Sequence, residues 1–244
     1  KNIWLFKKKT GVDGKVTKFK ARLVAKGFSQ QYGIDYQETF APVVRNTTIR
    51  LLMALATEKN LDIFHLDINT AFLYGELNEM VYMEQPEGFR VEGNKVCLLK
   101  RAIYGLKQAP RSWNTRLHSA LVGKCGLQQS KQDACLYFRI KKENIMYVAI
   151  YVDDILCFVN KPQLKEEFKK NLEKEFELKD LGVASHCLGW RIERAKDKRS
   201  ISLDLEKYIE KLLKQFNMEN AKPIDTPMDT SVKLKRADPG GEAV

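Results

Sequence analysis

Residues 145–159 read Ile-Met-Tyr-Val-Ala-Ile-Tyr-Val-Asp-Asp-Ile-Leu-Cys-Phe-Val, so two almost entirely apolar runs flank the adjacent carboxylates Asp153 and Asp154. Apolar runs of this length that are rich in Val, Ile, Tyr and Phe predict buried strands. Two ionised aspartates in the middle of one buried strand would carry a severe desolvation cost. The pattern therefore predicts a hairpin with Asp153-Asp154 at its tip. The tip either faces a cation or is an ordinary turn, because Asp is common in turns.

The composition of the 244-residue chain, with 44% apolar and 10% aromatic residues, is that of a globular protein. Its five cysteines form no CxxC pair and its three histidines are scattered, which predicts reduced, mostly buried thiols in an intracellular protein. No stretch approaches the ~20 apolar residues of a membrane helix, and no signal peptide opens the chain. We expect no membrane partner and, because the first residue is Lys1, a segment of a longer polypeptide.

Positive charge is concentrated at the start of the chain. The net charge is +11, and residues 1–27 carry nine basic side chains against the single acid Asp13, a balance of +8. Strands predicted over 3–10 and 15–25, around a turn at 11–14, would place Lys18, Lys20 and Arg22 on one face. Such a ribbon suits a nucleic acid or nucleotide phosphate. The alternative is a solvated, lysine-rich surface hairpin.

The remaining pattern mixes strands and helices without a regular βαβ alternation, which predicts the α+β class. Apolar spacing predicts helices at about 47–58, 111–122, 162–176 and 204–216, the last with Asp204 as its N-cap. Alternating or apolar runs predict strands over 61–68, 135–140, 145–152, 155–159, 185–193 and 200–203. The proline-containing tail from Asn217 is predicted to be loose.

The strand predicted over 61–68 would show His65 and Asp67 to a cleft. By itself Asp67 is more typical of a cap or turn than of a ligand. If it meets Asp153 and Asp154, the three carboxylates would bind two Mg²⁺ ions, with Mn²⁺ as a substitute. Two such ions support in-line displacement at a phosphate. The sequence contains no Walker-type loop, GxSxG elbow or HExxH motif that would indicate a different chemistry.

Six stretches of the chain resemble the reverse transcriptase domain of copia-type LTR-retrotransposon Pol polyproteins. They cover almost the whole chain and occur in the family's order: residues 20–28 (KARLVAKGF), 35–43 (DYQETFAPV), 65–73 (HLDINTAFL), 103–111 (IYGLKQAPR), 151–154 (YVDD) and 188–189 (LG). The chain departs from this family at Tyr74, where Asn is frequent, and at Cys187, where Phe is frequent.

The resemblance implies a right-hand polymerase fold. The fingers would comprise about residues 1–45 and 75–110, the palm about 46–74 and 111–193, and the start of a thumb about 194–244. It also implies an RNA-directed DNA polymerase that adds dNTPs to a primer 3′-hydroxyl on an RNA or DNA template. The two rival interpretations are an inactive or domesticated remnant that binds RNA, and a two-metal nuclease.

The resemblance also assigns roles to individual residues. Asp67 and Asp153 correspond to the first and second metal-binding aspartates, and Asp154 to the third, which is usually the less direct ligand. Phe72 corresponds to the aromatic under the incoming sugar, where its ring would clash with a ribose 2′-hydroxyl. Gln108 and one or both of Lys20 and Arg22 are expected at the incoming nucleotide. Leu188-Gly189 is expected to support the primer end.

The same resemblance predicts the partners of the chain. They would be primer-template, dNTPs and the rest of a Pol polyprotein, with protease and integrase upstream and RNase H downstream. The expected location is a cytoplasmic virus-like particle, with the nucleus as the alternative.

Overall fold

The computed structural model describes residues 1–10 and 15–227. The chain divides into two compact units, Lys1–Asp204 and Leu205–Val244. The turn predicted over 11–14, and the part of the predicted loose tail that follows residue 227, lie outside the described residues. The described elements combine helices with antiparallel sheets, which confirms the α+β class.

Strands and helices follow one another along the described residues without a regular alternation. The strands are β1 (Asn2–Thr10), β2 (Val16–Ala25), β3 (Asp62–Ile68), β4 (Tyr82–Met83), β5 (Cys97–Leu98), β6 (Gln128–Gln129), β7 (Leu136–Lys141), β8 (Asn144–Tyr151), β9 (Asp154–Val159), β10 (Leu178–Val183), β11 (His186–Cys187), β12 (Trp190–Arg194) and β13 (Ile201–Asp204). The α-helices are α1 (Asn46–Glu58), α2 (Ala109–Gly123), α3 (Pro162–Glu173) and α4 (Glu206–Gln215), and short 3-10 helices span Gly27–Ser29 and Ala71–Tyr74.

The centre of the first unit is a six-stranded antiparallel sheet in the order β10-β3-β9-β8-β7-β6. Residues 155–159 of β9 are all buried, which explains why this strand is apolar along its length instead of alternating. Helices α1, α2 and α3 bury the residues predicted from their helical spacing in the same core: Ile49, Leu52, Met53, Ala56, Trp113, Leu117, Ala120, Leu121, Leu164, Phe168 and Leu172. This core holds the two acid-bearing strands, β3 and β9, side by side.

Strands β1 and β2 form a separate two-stranded sheet. Its register pairs Lys7 with Lys20 and Lys9 with Lys18, and directly paired residues share a face. One face therefore carries Lys7, Lys9, Lys18, Lys20 and Arg22, and the other carries Trp4, Phe6 and Phe19. The prediction that the β2 cations share a face is confirmed.

The end of β2 and the residues after it pack, backbone against backbone, on the segment around Tyr104 that precedes α2. The Ala25 N–H donates a hydrogen bond to the Tyr104 carbonyl (2.8 Å). A Cβ at Gly27 would lie 2.0 Å from the Gly105 oxygen, and one at Gly105, where φ is +89°, would lie 2.1 Å from the Ala25 oxygen. Both positions therefore require glycine, and the approach of the two segments is fixed.

The single strand predicted over 185–193 is wrong. The chain turns back between β11 and β12, and Leu188 and Gly189 form a two-residue turn. Their φ angles are 54° and 84°, as in a tight hairpin turn whose central residues are both left-handed. The apolar residues on both sides conceal this turn in the sequence.

The prediction that Asp204 caps a helix is also wrong. Asp204 is the last residue of β13 and lies opposite Arg191 of β12, whose Nε donates a hydrogen bond to Asp204 Oδ2 (2.8 Å). Helix α4, in the second unit, follows Leu205 and receives no side-chain cap.

All five cysteines are free, with Cys97 half-buried and the other four buried, which confirms the prediction of mostly buried thiols. Within residues 1–10 and 15–227, no helix has the length and apolar character needed to cross a membrane.

Candidate active site

The predicted acids lie at one end of the central sheet. Asp67, near the end of β3, lies directly opposite Asp154, the first residue of β9. The Ile68 N–H donates to the Asp153 carbonyl (3.0 Å), so the neighbouring pair Asp67 and Asp154 is of the non-hydrogen-bonded type. In such pairs the Cα atoms are about 4.5 Å apart and the side chains share a face. The fold therefore brings Asp67 together with the two acids that follow it by more than eighty residues in the chain.

The hairpin tip differs by one residue from the prediction. Tyr151 pairs with Asp154, so the two-residue turn is Val152-Asp153 and Asp154 belongs to β9. Val152 has φ +57°, a strained conformation for a β-branched residue. The Trp113 indole N–H of α2 donates to the Val152 carbonyl (2.7 Å) and holds this turn in place. No glycine or asparagine marks this turn in the sequence, which is why the pattern places it one residue too late.

The electrostatic environment of Asp153 combines burial with neighbouring charges. Burial is the main reason that the pKa of the Asp153 carboxyl is raised. A backbone hydrogen bond opposes this, the charges of Asp154 and Asp67 raise the pKa further, and the charge of Lys20 lowers it. Three carboxylates and one ammonium group therefore lie within electrostatic reach of one another. A cation bound here would relieve the repulsion between the carboxylates.

The alternation of β3 predicted that His65 faces a cleft, and this prediction is wrong. His65 is buried, and its Nε2 lies 2.6 Å from Asp154 Oδ1. His65 and Asp67 share a face of β3, which brings the imidazole diagonally across from Asp154. One oxygen of Asp154 is therefore engaged by the protein. The only sequence signal for this contact is the two-residue spacing between His65 and Asp67.

The cationic face of the β1–β2 hairpin lies within electrostatic reach of the acids. The pKa of Lys20 is lowered, first by burial and then by the charges of Arg22, Lys9 and Lys18, and the charge of Asp67 partly offsets this. Arg22 lies with its guanidinium carbon 5.0 Å from the centre of the Tyr104 ring. Within the described part of the chain, the buried Nε of Arg22 has no hydrogen-bond partner.

Phe72 is half-buried in the 3-10 helix that follows β3. Its side chain packs against both the central core and the smaller core beneath the β1–β2 hairpin. Its ring meets Tyr104 edge-on, with centroids 5.2 Å apart and an interplanar angle of 68°. Phe72 therefore lies at the junction between the acid-bearing sheet and the cationic hairpin.

Gln108 is buried at the start of α2, with its amide bonded to other protein groups. Its Oε1 accepts a hydrogen bond from Gln30 Nε2 (2.9 Å), and its Nε2 donates to the Asp35 carbonyl (2.8 Å). It also lines a cleft of about 480 Å³ together with Glu79 and Arg111. The side chain joins the 30–35 loop to α2, and its predicted nucleotide contact stays a prediction.

The Leu188-Gly189 turn borders a second cleft of about 560 Å³. Leu188, Tyr151 and Trp190 line this cleft. Leu188 is half-buried against the central core, and Gly189 is exposed. The turn therefore lies on the side of the sheet where β8 ends just before the acids. Its predicted contact with a primer end stays a prediction.

The comparisons with known proteins agree on one family. Residues 1–230 match the sequence model of the family described as Reverse transcriptase (RNA-dependent DNA polymerase). The chain belongs to this reverse transcriptase family. This confirms the resemblance, drawn from the sequence motifs, to the reverse transcriptase domain of a copia-type Pol polyprotein.

Three relatives of this reverse transcriptase chain come from transposons. It is 45% identical over 236 residues to the "Retrovirus-related Pol polyprotein from transposon TNT 1-94" of Nicotiana tabacum, and 42% identical over 233 residues to that from transposon RE1 of Arabidopsis thaliana. These alignments cover 96% and 95% of this chain but 18% and 16% of the two polyproteins. The putative transposon Ty5-1 protein of Saccharomyces cerevisiae is 35% identical over 171 residues, which are 69% of this chain and 55% of that protein. No solved structure matches the chain.

Reverse transcriptases generally use divalent metal ions. In residues 1–10 and 15–227, no three His, Cys, Asp or Glu side chains form a preassembled metal-binding group. The donors nevertheless suit Mg²⁺, which prefers carboxylate oxygens and keeps positions open for substrate phosphates. Burial is the main cause of the raised pKa of Asp153, and the repulsion from Asp154 and Asp67 that adds to it is of the kind that a divalent cation relieves. The donor set therefore fits the ion, although its final coordination geometry is not preformed.

Proposed function

We propose that this chain is the catalytic part of an RNA-directed DNA polymerase, which transfers a nucleotide from a dNTP to a primer 3′-hydroxyl on an RNA or DNA template. The observation that carries the proposal is the placement of Asp67 directly opposite Asp154, with Asp153 in the adjoining turn and Lys20 within electrostatic reach. Membership of the reverse transcriptase family supports it. The chemistry asks the protein mainly for positioning and charge neutralisation.

We assign metal binding mainly to Asp67 and Asp153. Two Mg²⁺ ions, when bound, would activate the 3′-hydroxyl and neutralise charge on the triphosphate, and Mn²⁺ could replace them. One oxygen of Asp154 is already bonded to His65, so Asp154 has less capacity left for an ion. Asp154 then acts chiefly by keeping negative charge beside the other two acids.

The remaining site residues would bind and select the nucleotide. Lys20 and Arg22, on the cationic face of β2, hold the triphosphate oxygens by charge-assisted hydrogen bonds. The Phe72 ring lies under the sugar and excludes a 2′-hydroxyl. Gln108 supports the loop next to the nucleotide, and the Leu188-Gly189 turn supports the primer end.

The division into subdomains follows the same assignment. Fingers at about 1–45 and 75–110 contain the cationic hairpin, and a palm at about 46–74 and 111–193 contains the acids. Residues from about 194 would begin a thumb. A Pol polyprotein would supply protease, integrase and RNase H, and the reaction would take place in a cytoplasmic virus-like particle or the nucleus.

Primer extension tests the proposal directly. The parent chain and Asp153→Asn are given an RNA template, a DNA primer, dNTPs and Mg²⁺, and binding of primer-template is measured in parallel. The parent should extend the primer, and Asp153→Asn should bind it with little or no extension. Glu143→Gln, an acid whose side chain is 92% exposed, is the matched control and should extend normally.

Two outcomes would contradict the proposal. A parent chain that binds primer-template but extends nothing would be an RNA-binding module and not a polymerase. Equal extension by the parent and Asp153→Asn would show that the acids are assigned to the wrong site.

A further inference from the structure

The Tyr104 side chain touches both Phe72 and Arg22. Its ring meets the Phe72 ring edge-on at a centroid distance of 5.2 Å, and the Arg22 guanidinium carbon lies 5.0 Å from the centre of the same ring. Edge-to-face aromatic pairs and cation–π contacts at these distances are attractive. Neither the metal site nor the predicted nucleotide contacts include Tyr104.

The backbone around Tyr104 is held firmly. Its carbonyl accepts the Ala25 N–H at 2.8 Å, and the next residue, Gly105, packs so closely on Ala25 that a Cβ there would lie 2.1 Å from the Ala25 oxygen. The Tyr104 ring therefore has a fixed base from which to hold its two neighbours. The neighbours themselves come from different parts of the fold, since Phe72 follows β3 and Arg22 belongs to β2.

The guanidinium group of Arg22 lies over the Tyr104 ring. Its buried Nε has no hydrogen-bond partner in the described residues, so the contact that the structure shows for this group is the one with the Tyr104 ring. A planar guanidinium fixed by a ring can present its N–H groups to phosphate oxygens in a defined direction. The ring contact thus orients Arg22 without using its donors.

We propose that Tyr104 is a positioning residue that couples sugar selection to triphosphate binding, because one ring fixes both Phe72 and Arg22. This inference rests on the proposed polymerase function and on the sugar-selecting role of Phe72 within it. Loss of the ring should let Phe72 tilt away from the sugar and let Arg22 leave its fixed direction. Selectivity for dNTP over rNTP and the KM for dNTP should then change together, while the acids keep their positions.

The test compares kcat and KM for dNTP and rNTP incorporation in the parent, Tyr104→Leu and Tyr104→Phe. Tyr104→Leu should lower dNTP-over-rNTP selectivity by about 5-fold, the factor that corresponds to one aromatic pair, and raise the KM for dNTP. The kcat for dNTP should stay within about 3-fold of the parent value, because the acids are untouched. Tyr104→Phe keeps the ring and should match the parent. Tyr82→Leu, at an exposed tyrosine in β4, is the matched control.

A second variant guards against a Tyr104→Leu protein that fails to fold. Arg22→Lys keeps the charge but loses the planar group on the ring, and it should lower selectivity by about 2-fold to 3-fold, as expected for one cation–π contact. Unchanged selectivity in Tyr104→Leu, or in Arg22→Lys if Tyr104→Leu does not fold, would overturn the coupling.

Failure of the parent function gives a different result. If the parent extends no primer, the polymerase proposal itself is wrong. If Phe72→Ala leaves selectivity unchanged, the sugar-selecting role of Phe72 is wrong. If Phe72→Ala lowers selectivity without removing it, adding Tyr104→Leu should lower it no further, and a further loss would show that Tyr104 acts by another route.

Discussion

Two hairpins of opposite charge lie within electrostatic reach of each other at the candidate site, and they are built differently. The acidic hairpin, β8 and β9, lies inside a six-stranded sheet, and residues 155–159 are all buried. The basic hairpin, β1 and β2, is a two-stranded sheet in which Phe6 is 77% and Phe19 is 73% exposed. Isolated two-stranded sheets are marginally stable, whereas buried central strands are fixed by packing. The strands that carry the acids are therefore fixed by packing, while the cations depend on their junction and on a bound ligand.

The first test removes the charge of single acids at the candidate site. Asp67→Asn should lower the rate of primer extension on the order of 100-fold or more, because a negative charge at the reacting centre is lost. Asp154→Asn should lower it by only about 10-fold, since His65 already engages one Asp154 oxygen. Primer-template affinity should change little in either variant. An Asp154→Asn loss as large as that of Asp67→Asn would contradict the assigned division of roles.

The second test removes two cations from the basic hairpin. The double variant Lys20→Ala, Arg22→Ala should raise the KM for dNTP on the order of 50-fold, with a smaller change in kcat, because two charge-assisted phosphate contacts are removed. Binding of primer-template should also become less salt-sensitive, by up to about 0.9 in the log–log slope for each lost contact.

The matched control for the basic side removes the same charge elsewhere. Lys8 lies on the opposite face of the hairpin, and Lys142 lies in the turn between β7 and β8. The double variant Lys8→Ala, Lys142→Ala should leave the KM for dNTP near the parent value. Parent binding that does not depend on ionic strength would contradict the phosphate role of the cationic face.

The third test concerns the support of the acidic side. Asp180 of β10 accepts hydrogen bonds from Lys165, Gly182 N–H (3.0 Å) and Lys169 (3.1 Å), and β10 pairs with β3. Burial alone would raise the pKa of Asp180, but these hydrogen bonds lower it to about 2. Because the folded-state pKa lies below the unfolded one, the stabilisation is complete above about pH 4 and disappears as the pH falls toward 2.

Asp180→Asn should therefore lower the free energy of unfolding at pH 7 by about 2 kcal/mol. The difference between parent and variant should shrink below about pH 4, where the parent carboxylate also becomes protonated. Denaturant titrations at several pH values measure this. Asp225→Asn, at an exposed acid, is the control. A difference that stays constant down to pH 2 would show that the Asp180 charge is not the cause.

The parts of the fold that sequence predicts well are those with strong local patterns. The apolar spacing of α1 and α2 and the two apolar runs of β8 and β9 each reflect burial in one core, so periodicity alone identifies them. The motifs that identify the acids are equally local. What local pattern cannot give is register, and register decides that Asp154 lies diagonally across from His65.

The turns and the tertiary contacts of the site are harder to predict. Val152 adopts a positive φ in a turn whose carbonyl is held by Trp113, from a distant helix. Leu188 also adopts a positive φ, beside Gly189, and the apolar residues around it have the pattern of a strand. The contact of Tyr104 with Arg22 depends on how two separate segments pack, which no pattern within either segment records.

The smallest expected effect on the free energy of unfolding is that of Trp4→Phe, beside the basic hairpin, which is compared with the same substitution at Trp113, beside the acidic one. Trp113 donates its indole N–H to the Val152 carbonyl in the acidic turn (2.7 Å), and Trp4 donates its own to the Glu87 carbonyl beside the basic hairpin (3.1 Å). Trp113→Phe should lower the free energy of unfolding by about 2–3 kcal/mol, because it leaves the Val152 carbonyl without its donor and leaves a cavity in the core, where Trp113 is buried. Trp4→Phe should cost less than about 0.5 kcal/mol, since water replaces the lost donor.

Primer extension adds a second measurement to the same pair. Trp113→Phe should slow extension several-fold, because the strained turn that places Asp153 loses its anchor, whereas Trp4→Phe should leave the rate unchanged. Equal losses of stability in the two variants would mean that the acidic hairpin is no more rigidly held than the basic one. A Trp113→Phe protein with lower stability but the parent rate would mean that packing of β8 and β9 alone fixes Asp153, without help from the indole.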